Sequence, residues 1–361
     1  MRLFTVGPVE MEDEIRLMGG EPIPYFRTPE FSDLMLDMDR MLKDLMGASQ
    51  DDKSVYITAS GTAAMEAAVL NCFDGQDYLL IINGGTFGQR FVDICQVHDI
   101  PFLELKIPYG EVLTADMLSV FEDEQLSGML VNLDETSTGQ LYDIGLLSEF
   151  CQRKKMYLMV DAISTFLCDS YEMELYGIDV TIISSQKGLC VPPGMSVVVL
   201  SQRMIEERVL KSRIKSLYFD FKFYLKNFER GQTPYTPAIG ICLQMHQALC
   251  RIEEMGLECH LGHIAEVARD FRERMVSLPV SSPSYPLSNA ITPVIFDKPI
   301  AYYVFERLKD AYDIMVNPTG GATHDTVLRV AHIGKTTVED NTFLLNKMGE
   351  AIKDVQGSQS V

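Results

Sequence analysis

Tryptophan is absent, no C-x-x-C pair occurs, and basic residues are scarce. Each absence narrows the chemistry. The eight cysteines, Cys72, Cys95, Cys151, Cys168, Cys190, Cys242, Cys250 and Cys259, fall at irregular intervals, so the sequence signals neither a metal centre nor a disulfide framework. Most read as small buried apolar residues. The six histidines form no H-x-x-x-H pair; His260 and His263, three apart, read as solvated, and His332 as a possible lining residue of a site. With 31 Lys and Arg against 51 Asp and Glu, the net charge of −20 would repel nucleic acid and anionic lipid, both of which need clustered cations. No apolar run is long enough to cross a bilayer and the N-terminus lacks a signal-peptide core, so a cytoplasmic location is expected. No repeat or low-complexity tract interrupts the chain.

What is present is an ordinary globular composition: 361 residues, 47% hydrophobic and 23% charged, enough for two domains or one large one with an appendage. Seven short apolar runs, 54–60, 78–83, 101–107, 128–134, 155–161, 179–185 and 195–201, alternate with helix-period segments. Runs rich in Val, Ile and Leu with helices between them predict an α/β core around a mostly parallel sheet. A basic, aromatic helical stretch follows Ser201 to about Phe228, then a loop punctuated by Pro and Gly, then a long helix over 238–256 ended by Gly256. Strands at 290–297, 311–318 and 326–334, with helices near 261–276, 300–310 and 338–354, predict a second, smaller α/β unit.

In parallel sheets ligands gather beyond the carboxyl ends of the strands, and four such ends here carry polar groups. Ser60–Gly61–Thr62 opens an alanine-rich helix, where free N–H groups and hydroxyls suit an anion but serve equally as a helix cap. Asp134, Glu135, Thr136, Ser137 and Thr138 crowd the next end, either turning the chain or binding something. A strongly apolar strand ends in Asp161, which must be hydrated, paired or hydrogen-bonded. Finally "SSQKGLCVPPG", 184–194, sets Lys187 between a buried strand and a proline-rich loop. A buried amine there has the reactivity to form a Schiff base with a carbonyl cofactor.

Together these motifs resemble the fold-type I pyridoxal-phosphate enzymes, and within them the class V aminotransferases, most nearly the alanine–glyoxylate, serine–glyoxylate and 2-aminoethylphosphonate transaminase group. The resemblance runs from "TVGP" to "VLRVAHIG". It implies a large, mostly parallel seven-stranded domain over 21–245, a small C-terminal α/β domain over 246–361, and an N-terminal segment, 1–20, lying over the active site with Gly7 and Pro8 at its mouth. It implies pyridoxal 5′-phosphate as cofactor, bound covalently by Lys187, with Asp161 on the ring nitrogen and Ile163 and Phe87 on the ring. Thr136 is implied at the phenolic oxygen, and Ser60, Gly61, Thr62 and Gln186 at the phosphate. Thr236, or its neighbours Gln232, Thr233 and Tyr235, would reach the phosphate of a second copy in a homodimer. Arg329 matches the arginine that grips the substrate carboxylate; an arginine inside an apolar strand is costly without an anion to pair it.

The expected activity is ping-pong transfer of an amino group from a small amino acid to a 2-oxo acid such as glyoxylate or pyruvate. Transamination of 2-aminoethylphosphonate with pyruvate is the alternative, since a phosphonate suits the same arginine. A lyase of the cysteine desulfurase type fits less well, because Phe87 stands where those enzymes carry histidine and "NPTGGATHDTVLR" has no cysteine. A non-catalytic cofactor-binding scaffold is disfavoured by the joint presence of Lys187, Asp161 and Arg329.

Overall fold

The structure, a computed structural model, describes residues 1–358. All seven apolar runs form one sheet, ordered Lys53–Ile57, Ser196–Leu200, Val180–Ser184, Tyr157–Asp161, Gly128–Asn132, Leu79–Asn83, Phe102–Lys106. Only Ser196–Leu200 runs against its neighbours; the remaining pairings are parallel. Six of these strands are buried along almost their whole length, which explains why they read as continuous apolar runs rather than alternating ones. Two apolar layers, one on each face, hold the sheet: one built on Met35, Leu42, Phe150 and Met245, the other on Met65, Ala68, Phe91 and Phe221.

A second sheet orders Arg2–Phe4, Ile314–Pro318, Val327–Ala331, Ile291–Phe296 and Val280–Ser281, with its own core around Phe271, Leu308 and Met348. Its edge strand Arg2–Phe4 pairs in parallel with Ile314–Pro318, which anchors the N-terminal segment to the C-terminal unit. The division expected at 245/246 falls inside the helix Ile239–Met255, whose buried Cys242, Met245, Leu249 and Ile252 all pack in the core of the large sheet. Gly256, at φ +85, then turns the chain into the helix Leu257–Met275.

The stretch 202–228 is not one helical run. It forms the helices Gln202–Glu207 and Phe221–Phe228, each started by its own cap: Ser201 accepts from the Met204 N–H and Asp220 from the Lys222 N–H. Between them Asn71 donates to the Phe219 carbonyl and accepts from the Phe221 N–H, tying the intervening backbone to a distant helix.

Candidate active site

The parallel strands bring Asn132 and Asp161 side by side at their carboxyl ends, in direct register. Asp161 is 1% exposed; its Oδ2 accepts from Asn132 Nδ2 at 2.9 Å and its Oδ1 from the Ile163 N–H at 3.0 Å. Burial raises its pKa to about 6, and these two bonds, with the charges of Lys187 and Arg90, oppose the rise. Ile163 in turn touches the start of the helix Gly61–Cys72: a Cβ on Gly61 would stand 2.4 Å from Ile163 Cδ1, so a larger residue there would push the end of that side chain aside. Ser60 sits at the N-cap position but its hydroxyl makes no capping bond, and both Ser60 and Thr62 are exposed. The local capping role left open by the sequence is therefore not taken, which leaves the hydroxyls and the unpaired first N–H groups of the helix available to an anion.

Lys187 follows the strand Val180–Ser184 in a loop that folds on itself. Ser185 N–H donates to the Met195 carbonyl, its hydroxyl donates to the Pro192 carbonyl, and Cys190 N–H donates to the Lys187 carbonyl. The lysine is 7% exposed, and burial lowers its pKa to about 8 against the pull of Asp134 and Asp161. Its Nζ lies 5.8 Å from the centroid of the Phe87 ring, and the Arg90 guanidinium lies 4.8 Å from the same centroid. Gly7 lies directly on the lysine: a Cβ there would be 3.1 Å from Cδ and from Cε, and 3.2 Å from the Gln186 carbonyl. Gln186 is held by Ser184, whose hydroxyl donates to Oε1 at 2.7 Å. Pro8 is exposed, and Val6 N–H donates to Asn317 Oδ1, so the small sheet fixes this segment.

Phe87 is placed by an acid that the sequence leaves unassigned. Glu135 accepts from the Phe87 and Gly88 N–H groups and so caps the helix Thr86–Val97 from another strand end. Thr136 is buried, shares a 2.6 Å hydrogen bond with the Ser164 hydroxyl, and offers its carbonyl to Arg329 Nη1 at 2.9 Å. Arg329, facing Pro293 and Asn317 in its sheet, gives Nη2 to the Pro318 carbonyl, while Nε is buried with no partner. Asp134 is fully buried with neither carboxyl oxygen hydrogen-bonded, and burial holds its pKa well above the usual range.

Lys187, Asp161, Ile163, Gly61, Phe87, Gln186 and Gly7 thus meet in one place, and Thr136 joins Arg329. Thr236 is exposed, in a loop whose Ala238 N–H donates to Thr58 Oγ1. His332 is held by Thr292 at 2.7 Å and packs on Phe271. Arg90 and Asn132 were not singled out, although Arg90 lies three residues past Phe87 on one helical face and Asn132 ends its strand as Asp161 ends the next.

These residues fit pyridoxal phosphate: a buried amine, an acid opposite, an aromatic ring beside them, and uncapped hydroxyls at a helix end. The profile described as "Aminotransferase class-V" matches residues 27–337. A Helicobacter pylori protein described as an uncharacterized aminotransferase is 27% identical over 360 residues, covering 98% of this chain and 95% of that one. The L-aspartate–glyoxylate aminotransferase of Paracoccus denitrificans is 25% identical over 93% of this chain and 87% of its own. The solved structure of an alanine–glyoxylate aminotransferase from Nostoc sp. superposes with a TM-score of 0.91 at 24% identity, covering 97% of this chain and 94% of that one. The chain belongs to the class V aminotransferases, pyridoxal-phosphate-dependent transaminases of fold type I.

Proposed function

We propose that this transaminase moves an amino group from a small amino acid to a 2-oxo acid such as glyoxylate or pyruvate, the two half-reactions sharing one site in turn. The observation that carries the reading is Arg329. Its Nε is buried and unpaired, which costs about 1–3 kcal/mol unless a partner arrives, and a substrate carboxylate is the partner that matches a guanidinium fork. The relatives named for aspartate or alanine with glyoxylate support a small 2-oxo acid as acceptor.

Lys187 would hold the cofactor at its aldehyde carbon, Asp161 at the ring nitrogen, Phe87 and Ile163 on the ring, and Thr136 at the phenolic oxygen. Ser60, Gly61, Thr62 and Gln186 would hold the phosphate, joined by Thr236 from a second copy in a homodimer. When bound, the cofactor supplies a sink for the electrons left at the substrate Cα. Lys187 would take the substrate Cα proton on Nζ; a pKa lowered to about 8 leaves a useful share of the amine unprotonated near neutral pH. Arg329 fixes the carboxylate and thereby decides which Cα bond faces the lysine. Gly7 and Pro8 cover the site from the N-terminal side. A cytoplasmic location belongs to the same reading; among the described residues no helix is long and apolar enough to cross a membrane.

A half-reaction screen tests this: the holoprotein is mixed with single amino compounds and the bound cofactor's spectrum is followed. Alanine, serine or aspartate should convert it, and glyoxylate or pyruvate should restore it. Conversion by 2-aminoethylphosphonate alone would replace the carboxylate with a phosphonate, and conversion by no amino compound would overturn the reading.

A further inference from the structure

Two helices of the large domain, Pro29–Leu45 and Ile239–Met255, bring an acid, an imidazole and a thiol together at a half-buried seam. His246 and Cys250 stand four apart and share a helix face, and Asp37 reaches them from the other helix. Asp37 Oδ2 is 2.8 Å from His246 Nε2, Cys250 Sγ is 3.8 Å from Nδ1 and 4.0 Å from Nε2, and one donor atom from each residue lies within 4.8 Å of the others.

We propose that Asp37, His246 and Cys250 bind a zinc-class dication that ties these two helices together. Tetrahedral zinc, with bonds of about 2.0 Å to N and O and about 2.3 Å to S, sets its ligand atoms about 3.3–3.7 Å apart. The Oδ2–Nε2 pair must open, and the Sγ–Nε2 pair close, by about 0.5 Å or less to meet that spacing, and the carboxylate–thiol pair, within 4.8 Å, must close by up to about 1.3 Å. The second oxygen of Asp37 is already engaged: Oδ1 accepts from Arg40 Nε at 3.2 Å and Nη2 at 3.0 Å. That leaves Oδ2 as a single, oriented donor, the arrangement in which an outer partner steers a metal ligand. Arg40 is itself bound to Asp44 and Glu253, so the seam carries more negative than positive charge. Thiolate and imidazole donors favour zinc or cobalt over magnesium or calcium. Loading exchanges the Cys250 thiol proton for the metal–sulfur bond and breaks the His246 Nε2–Asp37 Oδ2 hydrogen bond, the neutral imidazole then carrying its proton on Nδ1; one proton goes to solvent, nothing is oxidised or reduced, and water completes the shell.

The test uses the untagged holoprotein, stripped with chelator and then given zinc or cobalt(II) alone. About one zinc per chain should survive gel filtration, and cobalt(II) should give the intense red-region absorption of a tetrahedral site, clear of the cofactor's own bands. Loss of an outer partner weakens metal sites by about 10–100-fold, so Arg40→Ala should lower zinc affinity by about that much and the ligand variants Cys250→Ser and His246→Ala by more. The cofactor spectrum and turnover report that each variant is folded, since none of these residues belongs to the group around Lys187. No retained zinc, or retention unchanged in both Cys250→Ser and His246→Ala, overturns the proposal and leaves an ordinary Asp–His pair with a neighbouring thiol.

Discussion

Glu135 holds Phe87 in place through the main chain: one carboxylate oxygen accepts from the Phe87 N–H at 3.2 Å and the other from the Gly88 N–H at 2.9 Å. The two N–H groups belong to the first turn of a helix and have no partner within it. Glu135→Ala should therefore lower stability by about 1–3 kcal/mol, read by urea unfolding. Glu135→Gln, which keeps one acceptor, should recover part of the loss. Equal stability of Glu135→Ala and wild type would show that the cap is dispensable.

Lys187 should have opposite effects on turnover and on stability. Lys187→Met removes the reactive amine and should abolish transamination. In cofactor-free protein the same change should stabilise the fold, because burial holds the folded pKa near 8 against an ordinary 10.5. A lowered lysine pKa means the unfolded chain binds the proton more tightly, so the native state is penalised most below about pH 8 and the penalty fades as pH rises towards 10.5. The gain should be about 3 kcal/mol at pH 7 and shrink steadily by pH 10. Unfolding midpoints of the two proteins across that range check it; a difference that does not vary with pH would contradict the burial of a titrating amine.

Gly7→Ala should lower kcat far more than it alters unfolding. The added methyl would press on the lysine's Cδ and Cε and on the Gln186 carbonyl at 3.1–3.2 Å. The lysine must give by a few tenths of an ångström; since a misplacement of about 1 Å costs about 100-fold, a loss of up to about tenfold in rate is expected. Single-turnover mixing with an amino donor would show it, and an unchanged rate would mean the N-terminal segment stands clear of the lysine during reaction.

Arg329→Lys should not rescue Arg329→Gln. A lysine ammonium cannot bridge the Thr136 and Pro318 carbonyls and still present a second donor to a carboxylate. Both variants should raise the apparent KM for a 2-oxo acid, by about 2–5 kcal/mol in binding. Steady-state kinetics with glyoxylate and pyruvate decide this; a lysine variant as effective as wild type would remove Arg329 from carboxylate recognition.

The features legible in the sequence were those written in contiguous residues. Val180–Ser184 and Gly128–Asn132 are buried at every position, so each strand announces itself as an apolar run with a polar end. Asp161 and Lys187 stand just where such runs stop, and Arg329 interrupts one. What was not legible depends on partners distant in the chain. Glu135 acts on Gly88 from 47 residues away, and nothing local distinguishes a helix cap supplied from elsewhere from a residue in a turn. Asp37 and His246 are 209 residues apart, so a donor cluster was invisible to any rule of ligand spacing. The break between Gln202–Glu207 and Phe221–Phe228 has no local signal, because Asn71, some 150 residues earlier, draws the backbone at Phe221 into another pattern of hydrogen bonds.

The reversal of Ser196–Leu200 against its neighbours bears on how the lysine travels. With Ser184 opposite Ser196, residues 185–195 close a hairpin whose two stems both lie in the sheet interior. The main chain beneath Lys187 is gripped from both sides, and the amine's reach depends on its four carbon–carbon torsions alone. The lysine thus behaves as a short tether on a fixed post, with Gly7, borne by the other sheet, already seated against its Cδ and Cε.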